Sequence, residues 1–87
     1  MNKVFSDLGW SDYVYWETED RKTLNRINKL IEDISRNGNE GIGKPEPLHG
    51  DLSGFWSRRI NDKDRLIYKI SNDAVYIISC RYHYGDH

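Results

Sequence analysis

The chain has 87 residues, which is room for one domain, expected over residues 1–87, and leaves no room for a second catalytic domain. Its 13 Lys and Arg residues nearly balance its 14 Asp and Glu residues, which excludes binding to nucleic acid by bulk positive charge alone. The longest apolar run, Ala74 to Ile78, is too short to span a membrane, and the N-terminus lacks the layout of a signal peptide. We therefore expect a soluble cytoplasmic protein with no membrane association.

The N-terminal part of the chain predicts a short strand followed by two helices. The strand is predicted at Lys3–Phe5, and Ser6 or Asp7 can cap the helix that follows. Four residues at helical spacing support this first helix: Trp10, Tyr13, Val14 and Glu17. A second, amphipathic helix is predicted from about Asp20 to Arg36, ended by Asn37–Gly38. Its apolar positions recur at intervals of three and four: Leu24, Ile27, Leu30, Ile31 and Ile34.

The C-terminal part predicts three strands after a loop rich in glycine and proline. The strands are predicted at Phe55–Ile60, Arg65–Ile70 and Ala74–Tyr84. The turns between them, at residues 61–64 and 72–73, are short enough for an antiparallel meander. The expected fold class is α+β, with the two N-terminal helices packed on one face of a small antiparallel sheet, in the order β-α-α-β-β-β.

The alternation of side chains sorts the residues of these strands into two faces. One face is apolar and is expected to pack against the helices: Trp56, Ile60, Leu66, Tyr68, Ile70, Tyr76, Ile78 and Cys80. The other face combines the apolar Val75 and Ile77 with polar and cationic residues: Ser57, Arg59, Arg65, Lys69, Ser79, Arg81 and His83. Two interpretations of this second face stay open, an ordinary solvated sheet face and a functional cationic surface.

No motif in the chain indicates a familiar cofactor or metal site. There is no glycine-rich phosphate loop after a strand and no pair of Cys or His residues at metal-binding spacing. His83, Asp86 and His87 could chelate a metal, but a chain end without supporting groups makes that unexpected. Cys80, the only cysteine, falls among the core positions and is expected to act as a small buried hydrophobic residue. We expect neither a metal nor a cofactor.

Three residues remain as candidates for acid–base or anion chemistry. Glu46 lies between two prolines that restrict its backbone, which suits a fixed general base, although a turn glutamate facing water fits the pattern too. His83 can donate a proton near neutral pH, or it can be an ordinary surface histidine. Arg65 follows a turn, where it could bind an anion or form a salt bridge with Asp62 or Asp64.

Four runs of the sequence resemble those of the YoeB toxins, a branch of the RelE superfamily. They are Gly43–Leu48, Leu52–Ile60, Asp64–Tyr68 and Cys80–Tyr84. The resemblance covers nearly the whole chain, and the closing Arg-Tyr-His-Tyr run is quite specific. It implies a RelE-like fold and a ribosome-dependent mRNA endonuclease, the toxin of a type II toxin-antitoxin pair, that cuts messenger RNA in the ribosomal A site. It also implies a homodimer and a cognate, YefM-like antitoxin that covers or distorts the active site.

The resemblance also implies roles for individual residues. Glu46 matches the family's general base, Arg65 its transition-state arginine and His83 its general acid. Three further residues match substrate-binding positions: Arg59, Tyr84 and Lys44.

The chain departs from the family pattern in the loop, before a strand and at its end. The family commonly has a lysine just after the Pro-Leu of the loop, where this chain has His49. It commonly has a histidine before the strand arginine, where this chain has Asp64, a residue that could pair with a neighbouring cation. The tail Gly85–His87 extends past the usual end at Tyr84.

The implied reaction needs a base, an acid and a cation around one phosphate, because RNA supplies its own nucleophile, the ribose 2′-hydroxyl. With a net charge of −1, the protein is expected to bind free RNA weakly, so a ribosome must hold the codon in a fixed conformation. Two other classes stay open. One is a non-nucleolytic toxin that acts on gyrase, like the ParE toxins, and the other is a ribosome-independent ribonuclease.

Overall fold

A computed structural model of the protein describes residues 1–82, so the predictions made for His83, Tyr84 and residues 85–87 lie outside the described residues. The helices and strands are β1 (Asn2–Phe5), α1 (Asp7–Glu19), α2 (Arg21–Asn37), β2 (Glu46–Pro47), β3 (Trp56–Arg59), β4 (Arg65–Ser71) and β5 (Ala74–Ser79). A 3₁₀ turn at Gly50–Leu52 lies between β2 and β3. Within residues 1–82, no helix is both long enough and apolar enough to cross a membrane.

Side-chain caps define where the two helices begin. The hydroxyl of Ser6 accepts a hydrogen bond from an amide in the first turn of α1. The carboxylate of Asp20 does the same for two amides in the first turn of α2. Helix α2 ends at Asn37, and Gly38 follows with a φ of 67°, a conformation that glycine adopts without strain. The predicted starts and the predicted stop are confirmed.

Within residues 1–82, the strands form one five-stranded sheet in the order β1-β5-β4-β3-β2. Three of the four pairs are antiparallel, whereas β1 runs parallel to β5. The sheet packs against both helices, so the predicted α+β class is confirmed. The sheet differs from the prediction in being mixed and in gaining β2, a two-residue strand that pairs with β3. Strand β5 ends at Ser79, whereas the prediction extended this strand to Tyr84.

A bulge interrupts the register between β4 and β5. Tyr68 lies opposite Ile77, but its neighbour Ile67 lies opposite Ser79. Ile78 is therefore an extra residue in β5, and it reverses which side chains face the core. A one-residue insertion moves every later side chain to the other face of the sheet, because side chains alternate with a period of two.

The bulge corrects the predicted faces of β5. Val75 and Ile77, expected on the polar face, are fully buried, whereas Tyr76 and Ile78, expected in the core, are only partly buried. Those four assignments were wrong because strict alternation takes no account of an inserted residue. Cys80 follows the bulge and is buried as predicted.

The hydrophobic core lies between the helices and one face of the sheet. Helix α2 contributes all the apolar positions that its periodicity predicted. The buried apolar set is Trp16, Leu24, Ile27, Leu30, Ile31, Ile34, Ile60, Leu66, Tyr68, Ala74, Val75, Ile77 and Cys80.

The charged side chain of Arg58 is fully buried on the core side of β3. It forms an ion pair with Asp33 of α2 and donates hydrogen bonds to the carbonyl oxygens of Gly38, Glu40 and Ile42, at 2.7 to 3.0 Å. The hydrogen bond from Arg58 also holds the pKa of Asp33 below its ordinary value of 3.8. Arg58 thereby ties the loop after α2 to β3, and this loop leads directly into β2.

Candidate active site

A groove of about 490 Å³ lies on the face of the sheet that points away from the hydrophobic core. Its floor carries side chains from the three central antiparallel strands, among them Ser57, Ile67 and Ser79. Glu46 and Arg65, two of the three predicted catalytic residues, both line it. The groove therefore brings a carboxylate and a guanidinium group to the same space.

Glu46 reaches the groove through the pairing of β2 with β3. It lies opposite Ser57 in the register and is exposed to solvent. Strand β2 is an edge strand, a position where the prolines on either side of Glu46 are tolerated because one strand edge needs no amide donors. The backbone of the glutamate is thus restricted by its neighbours and by its strand partner.

Arg65 is held by the turn that precedes β4. Its Nη1 donates to the carbonyl oxygens of Asn61 (2.7 Å) and Asp64 (3.1 Å). Within residues 1–82, the contacts of Arg65 are with these carbonyl groups rather than with the carboxylates of Asp62 or Asp64. The guanidinium group therefore keeps its charge available to an anion in the groove.

Two of the predicted substrate-binding residues, Arg59 and Lys44, lie outside the groove lining. Arg59 sits opposite Arg65 in the register of β3 and β4, so two arginine side chains share this end of the open face. Its amide donates to the carbonyl oxygen of Gly43 at 2.7 Å. Lys44 is exposed and has a positive φ of 51°, two residues before Glu46. Among residues 1–82, neither Arg59 nor Lys44 belongs to the groove lining.

The segment after β5 is fixed by hydrogen bonds as far as Tyr82. The amide of Cys80 donates to Asp12 (2.9 Å), and its carbonyl oxygen accepts from the indole of Trp16 (2.8 Å). The amide of Tyr82 donates to Oδ1 of Asp64 at 2.7 Å. His83 follows directly in the sequence and lies outside the described residues, as does Tyr84.

Arg81 is a groove residue that the sequence did not single out as a site residue. Its guanidinium group lies 3.6 Å from the ring centroid of Tyr15, which is stacking distance. The available signal was its place beside Ser79 on the predicted cationic face, within the Arg-Tyr-His-Tyr run. A second guanidinium group therefore lines the groove with Arg65.

Asp64 was predicted to be able to pair with a cation, and the structure gives it other partners. It is buried at 6% exposure, and its two carboxylate oxygens accept hydrogen bonds from the amide of Tyr82 and the side-chain amide of Asn61. These neutral donors satisfy the carboxylate, as a buried charged group requires.

Cys80 has no nucleophilic character in this structure. Burial, with smaller contributions from the charges of Asp12 and Asp64, raises the pKa of its thiol to about 12. Among residues 1–82, no three His, Cys, Asp or Glu side chains converge in a way that could hold a metal ion. The polar residues that line this groove carry a carboxylate (Glu46), guanidinium groups (Arg65 and Arg81), an ammonium group (Lys63) and hydroxyl groups.

The sequence matches the family model described as YoeB-like toxin of bacterial type II toxin-antitoxin system, over residues 5–84. It is also 56% identical to the toxin YoeB of Streptomyces coelicolor over 84 residues, which cover 97% of this chain and 100% of that protein.

The fold is similar to solved structures of the same family. One is the heterotetrameric YoeB-YefM toxin-antitoxin complex from Staphylococcus aureus, with a TM-score of 0.92, 46% identity, and coverage of 97% of this chain and 98% of the other. Another is the YoeB dimer from the same species, with a TM-score of 0.90, 46% identity and the same coverage. Sequence and fold agree along nearly the full length, and the chain therefore belongs to the YoeB-like toxins of bacterial type II toxin-antitoxin systems.

Proposed function

We propose that this toxin is a ribosome-dependent mRNA endonuclease that cuts messenger RNA in the ribosomal A site and so inhibits translation. The observation that carries the proposal is the convergence of Glu46 and Arg65 on one groove, beside the chain segment that leads into His83. A base, a cation and an acid are the groups that phosphodiester cleavage by a neighbouring hydroxyl requires.

In the proposed reaction, the ribose 2′-hydroxyl attacks the adjacent phosphorus atom. Glu46 accepts the proton of this hydroxyl, and Arg65, helped by Arg59, stabilises the charge that gathers on the phosphorane. His83, assigned by its place in the family's closing run, protonates the departing 5′-oxygen. The products are a 2′,3′-cyclic phosphate and a free 5′-hydroxyl. Each acid or base contributes roughly 10² to 10⁴-fold to the rate.

The ribosome supplies what this groove lacks, which is affinity for free RNA. The protein has a net charge of −1, and phosphate contacts by a few arginines give weak, salt-sensitive binding. A ribosome that presents one codon in a fixed conformation converts this weak encounter into a positioned reaction. The proposal therefore places the protein in the cytoplasm, where translating ribosomes are found.

The proposal includes two protein partners. A YefM-like antitoxin would bind and neutralise the toxin, as the assembly of the Staphylococcus aureus toxin with YefM suggests. A second copy of the chain would form a homodimer, because the toxin of that species is also known as a dimer.

The test is primer extension on mRNA carried by translating ribosomes. We expect cuts in register with codons for the wild-type protein and a loss of roughly 10² to 10⁴-fold in cleavage rate for Glu46→Gln, because the amide cannot accept the 2′-hydroxyl proton. The His83→Gln variant should lose cleavage similarly. Glu40→Gln is the matched control, since Glu40 is an exposed glutamate of the same loop that does not line the groove.

Full cleavage by Glu46→Gln would contradict the assigned base. Equal cutting of ribosome-bound and naked RNA would instead indicate a ribosome-independent ribonuclease. An absence of cuts together with inhibited DNA supercoiling by gyrase would indicate a ParE-like binding toxin.

A further inference from the structure

We infer that Asp64 is a positioning residue of this site: its buried carboxylate joins the turn that holds Arg65 to the backbone of Tyr82, and so sets the position of Arg81 and Tyr82 relative to Arg65 in the groove. The inference rests on the proposed function, because it assigns Asp64 a task in arranging groove residues around the reacting phosphate. It concerns a residue that lies outside the reacting atoms and acts through its neighbours.

The turn at residues 61–64 is closed without the carboxylate of Asp64. The side-chain oxygen of Asn61 accepts the amides of Lys63 (2.8 Å) and Asp64 (2.6 Å), and the amide of Ile60 donates to the carbonyl oxygen of Asp64 (3.1 Å). These bonds form an Asx-type turn that satisfies the local backbone. The backbone of the turn therefore does not need the carboxylate of Asp64, and its Oδ1 accepts a hydrogen bond from outside the turn.

That bond reaches a distant part of the chain. Oδ1 of Asp64 accepts the amide of Tyr82 at 2.7 Å, across 18 positions of the sequence, while Oδ2 accepts the side-chain amide of Asn61 at 3.0 Å. At 6% exposure the carboxylate is shielded from water, which strengthens a hydrogen bond to a charged acceptor. This contact is thus a strong tie between the turn and the segment that follows β5.

The same turn also holds Arg65, since the Nη1 of this arginine bonds the carbonyl oxygens of Asn61 and Asp64. One short segment consequently fixes the guanidinium group on one side and the backbone of Tyr82 on the other. Consecutive Cα atoms are about 3.8 Å apart, so fixing the backbone of Tyr82 also restricts the position of Arg81, which lines the groove with Tyr82. An error of about 1 Å in such an arrangement can lower a catalytic rate about 100-fold.

The first measurement tests the hydrogen bond between Asp64 and Tyr82. It follows hydrogen exchange of the Tyr82 amide in the full chain by NMR. We expect the Tyr82 amide to be protected in the wild-type protein and to exchange at least about tenfold faster in Asp64→Ala, which removes the acceptor. Asp64→Asn should retain part of the protection, because its side-chain oxygen can still accept this amide while its NH2 group faces the side-chain amide donor of Asn61. A wild-type Tyr82 amide that exchanges freely would overturn the inference.

The second measurement is single-turnover cleavage on preassembled ribosome–mRNA complexes at saturating toxin. We expect Asp64→Ala to lower the cleavage rate constant roughly 10- to 100-fold while the Kd for the ribosome changes less than about threefold. Asp64→Asn should recover part of the rate, because it keeps an acceptor for the Tyr82 amide and loses the negative charge. Asp62→Ala is the matched control, an exposed carboxylate of the same turn, and should cleave like the wild type.

Wild-type cleavage by Asp64→Ala would overturn the inference and leave the proposed function intact. A loss of cleavage in Asp64→Asn as large as in Asp64→Ala, with the Tyr82 amide still protected in Asp64→Asn, would also overturn it, because the charge rather than the hydrogen bond to Tyr82 would then matter. No cleavage by the wild-type protein on ribosomes would overturn the proposed function, so the two failures are distinguishable.

Discussion

Arg81 brings a charge to the groove in a restricted orientation. Its guanidinium group stacks on the ring of Tyr15, with 3.6 Å between the guanidinium carbon and the ring centroid. The N–H groups of a stacked guanidinium lie in its plane and point away from the ring, so they can still donate hydrogen bonds. An arginine held in this way loses less freedom when it binds a phosphate than an arginine on a free side chain. We therefore expect Arg81 to contact the RNA backbone beside the cleaved phosphate.

The probe is a short RNA with a 2′-deoxy sugar at the cut position, which the protein can bind but not cleave. Arg81→Ala should weaken binding of this RNA by roughly tenfold. It should also lower the slope of log affinity against log salt concentration by the amount expected for the loss of about one phosphate contact. Tyr15→Leu should weaken binding by a smaller factor because it removes the stacking surface, while Tyr15→Phe, which keeps the ring, is the control. Fluorescence anisotropy at several salt concentrations measures both quantities. An Arg81→Ala variant with the wild-type salt slope would contradict the assignment.

The thiol of Cys80 makes the stability of the fold depend on pH in the alkaline range. Its pKa is raised from 9.0 to about 12, mainly by burial, so between these values the folded state keeps a proton that the unfolded state has lost. The contribution of the protonated thiol to the unfolding free energy is fully present below pH 9. It is lost as pH rises toward 12, at about 1.4 kcal/mol per pH unit.

Urea unfolding of the wild type and of Cys80→Ala at pH 8 and pH 10 measures this contribution. The difference in unfolding free energy between the two proteins should shift by about 1.4 kcal/mol, against the wild type, at the higher pH. Groups other than the thiol titrate in both proteins and cancel in the comparison. A difference that is independent of pH would show that the buried thiol does not titrate in this way.

Candidate site residues could be predicted where neighbouring residues in the sequence restrict the backbone. Glu46 and Arg65 could be singled out because prolines or a turn precede them, and both line the groove. Arg81 was placed on the correct face of the sheet but missed as a site residue, because its stacking on Tyr15 of α1 is a contact that only the folded chain makes. The long-range bond of Asp64 was missed for the same kind of reason, since it joins residues that only the folded sheet brings together.

At the scale of elements, α1 approaches β5 so closely at Gly9 that no side chain fits. A Cβ atom at this position would lie 2.4 Å from the carbonyl oxygen of Ile77 and 3.3 Å from that of Ile78. The start of the helix is also tied to the same stretch, because the Ser6 hydroxyl donates to the carbonyl oxygen of Ile78 at 2.7 Å. Helix α1 therefore packs directly against the backbone of the bulge.

Gly9→Ala should lower the unfolding free energy by about 1 to 3 kcal/mol, because relieving the clash requires the helix to move away from β5. This loss opposes the gain of up to about 1 kcal/mol that alanine brings in helix propensity. Ser11→Ala is the control, an exposed position of the same helix, and should change stability by no more than about 0.5 kcal/mol. Urea unfolding followed by circular dichroism measures both, and a Gly9→Ala protein as stable as the wild type would contradict the packing.

The elements themselves were largely predictable, and the sheet pairing was not. Helix α2 follows from its apolar periodicity and from the Asn37–Gly38 stop. The parallel pairing of β1 with β5 could not be derived, because nothing in the strand of residues 2–5 specifies its partner. The two residues of β2 are too few for alternation to be visible, and the bulge at Ile78 leaves no local mark in an apolar run.

At the scale of the whole molecule, the described surface carries exposed apolar side chains close to the N-terminus. Trp10 is 54% exposed, and Leu8, Val14 and Val4 are exposed as well. With a net charge of −1, electrostatic repulsion between two copies is small. Both features favour the self-association included in the proposed function.

Size-exclusion chromatography with multi-angle light scattering tests this property of the free toxin. We expect a mass near twice the 10.3 kDa of one chain at micromolar concentration, falling toward one chain on dilution. The association should persist in high salt, because burial of apolar surface is not screened. A mass of one chain across the whole concentration range would contradict the homodimer.

The position of β5 in the sheet links folding to the order of synthesis. This strand follows every other described strand in the chain, yet it lies between β1 and β4 and receives α1 against its backbone. A nascent chain therefore carries β1 and both helices before the strand that joins them to the rest of the sheet exists. The groove cannot assemble until translation has passed Tyr82, so a partly made chain lacks the site to which the proposed function assigns cleavage.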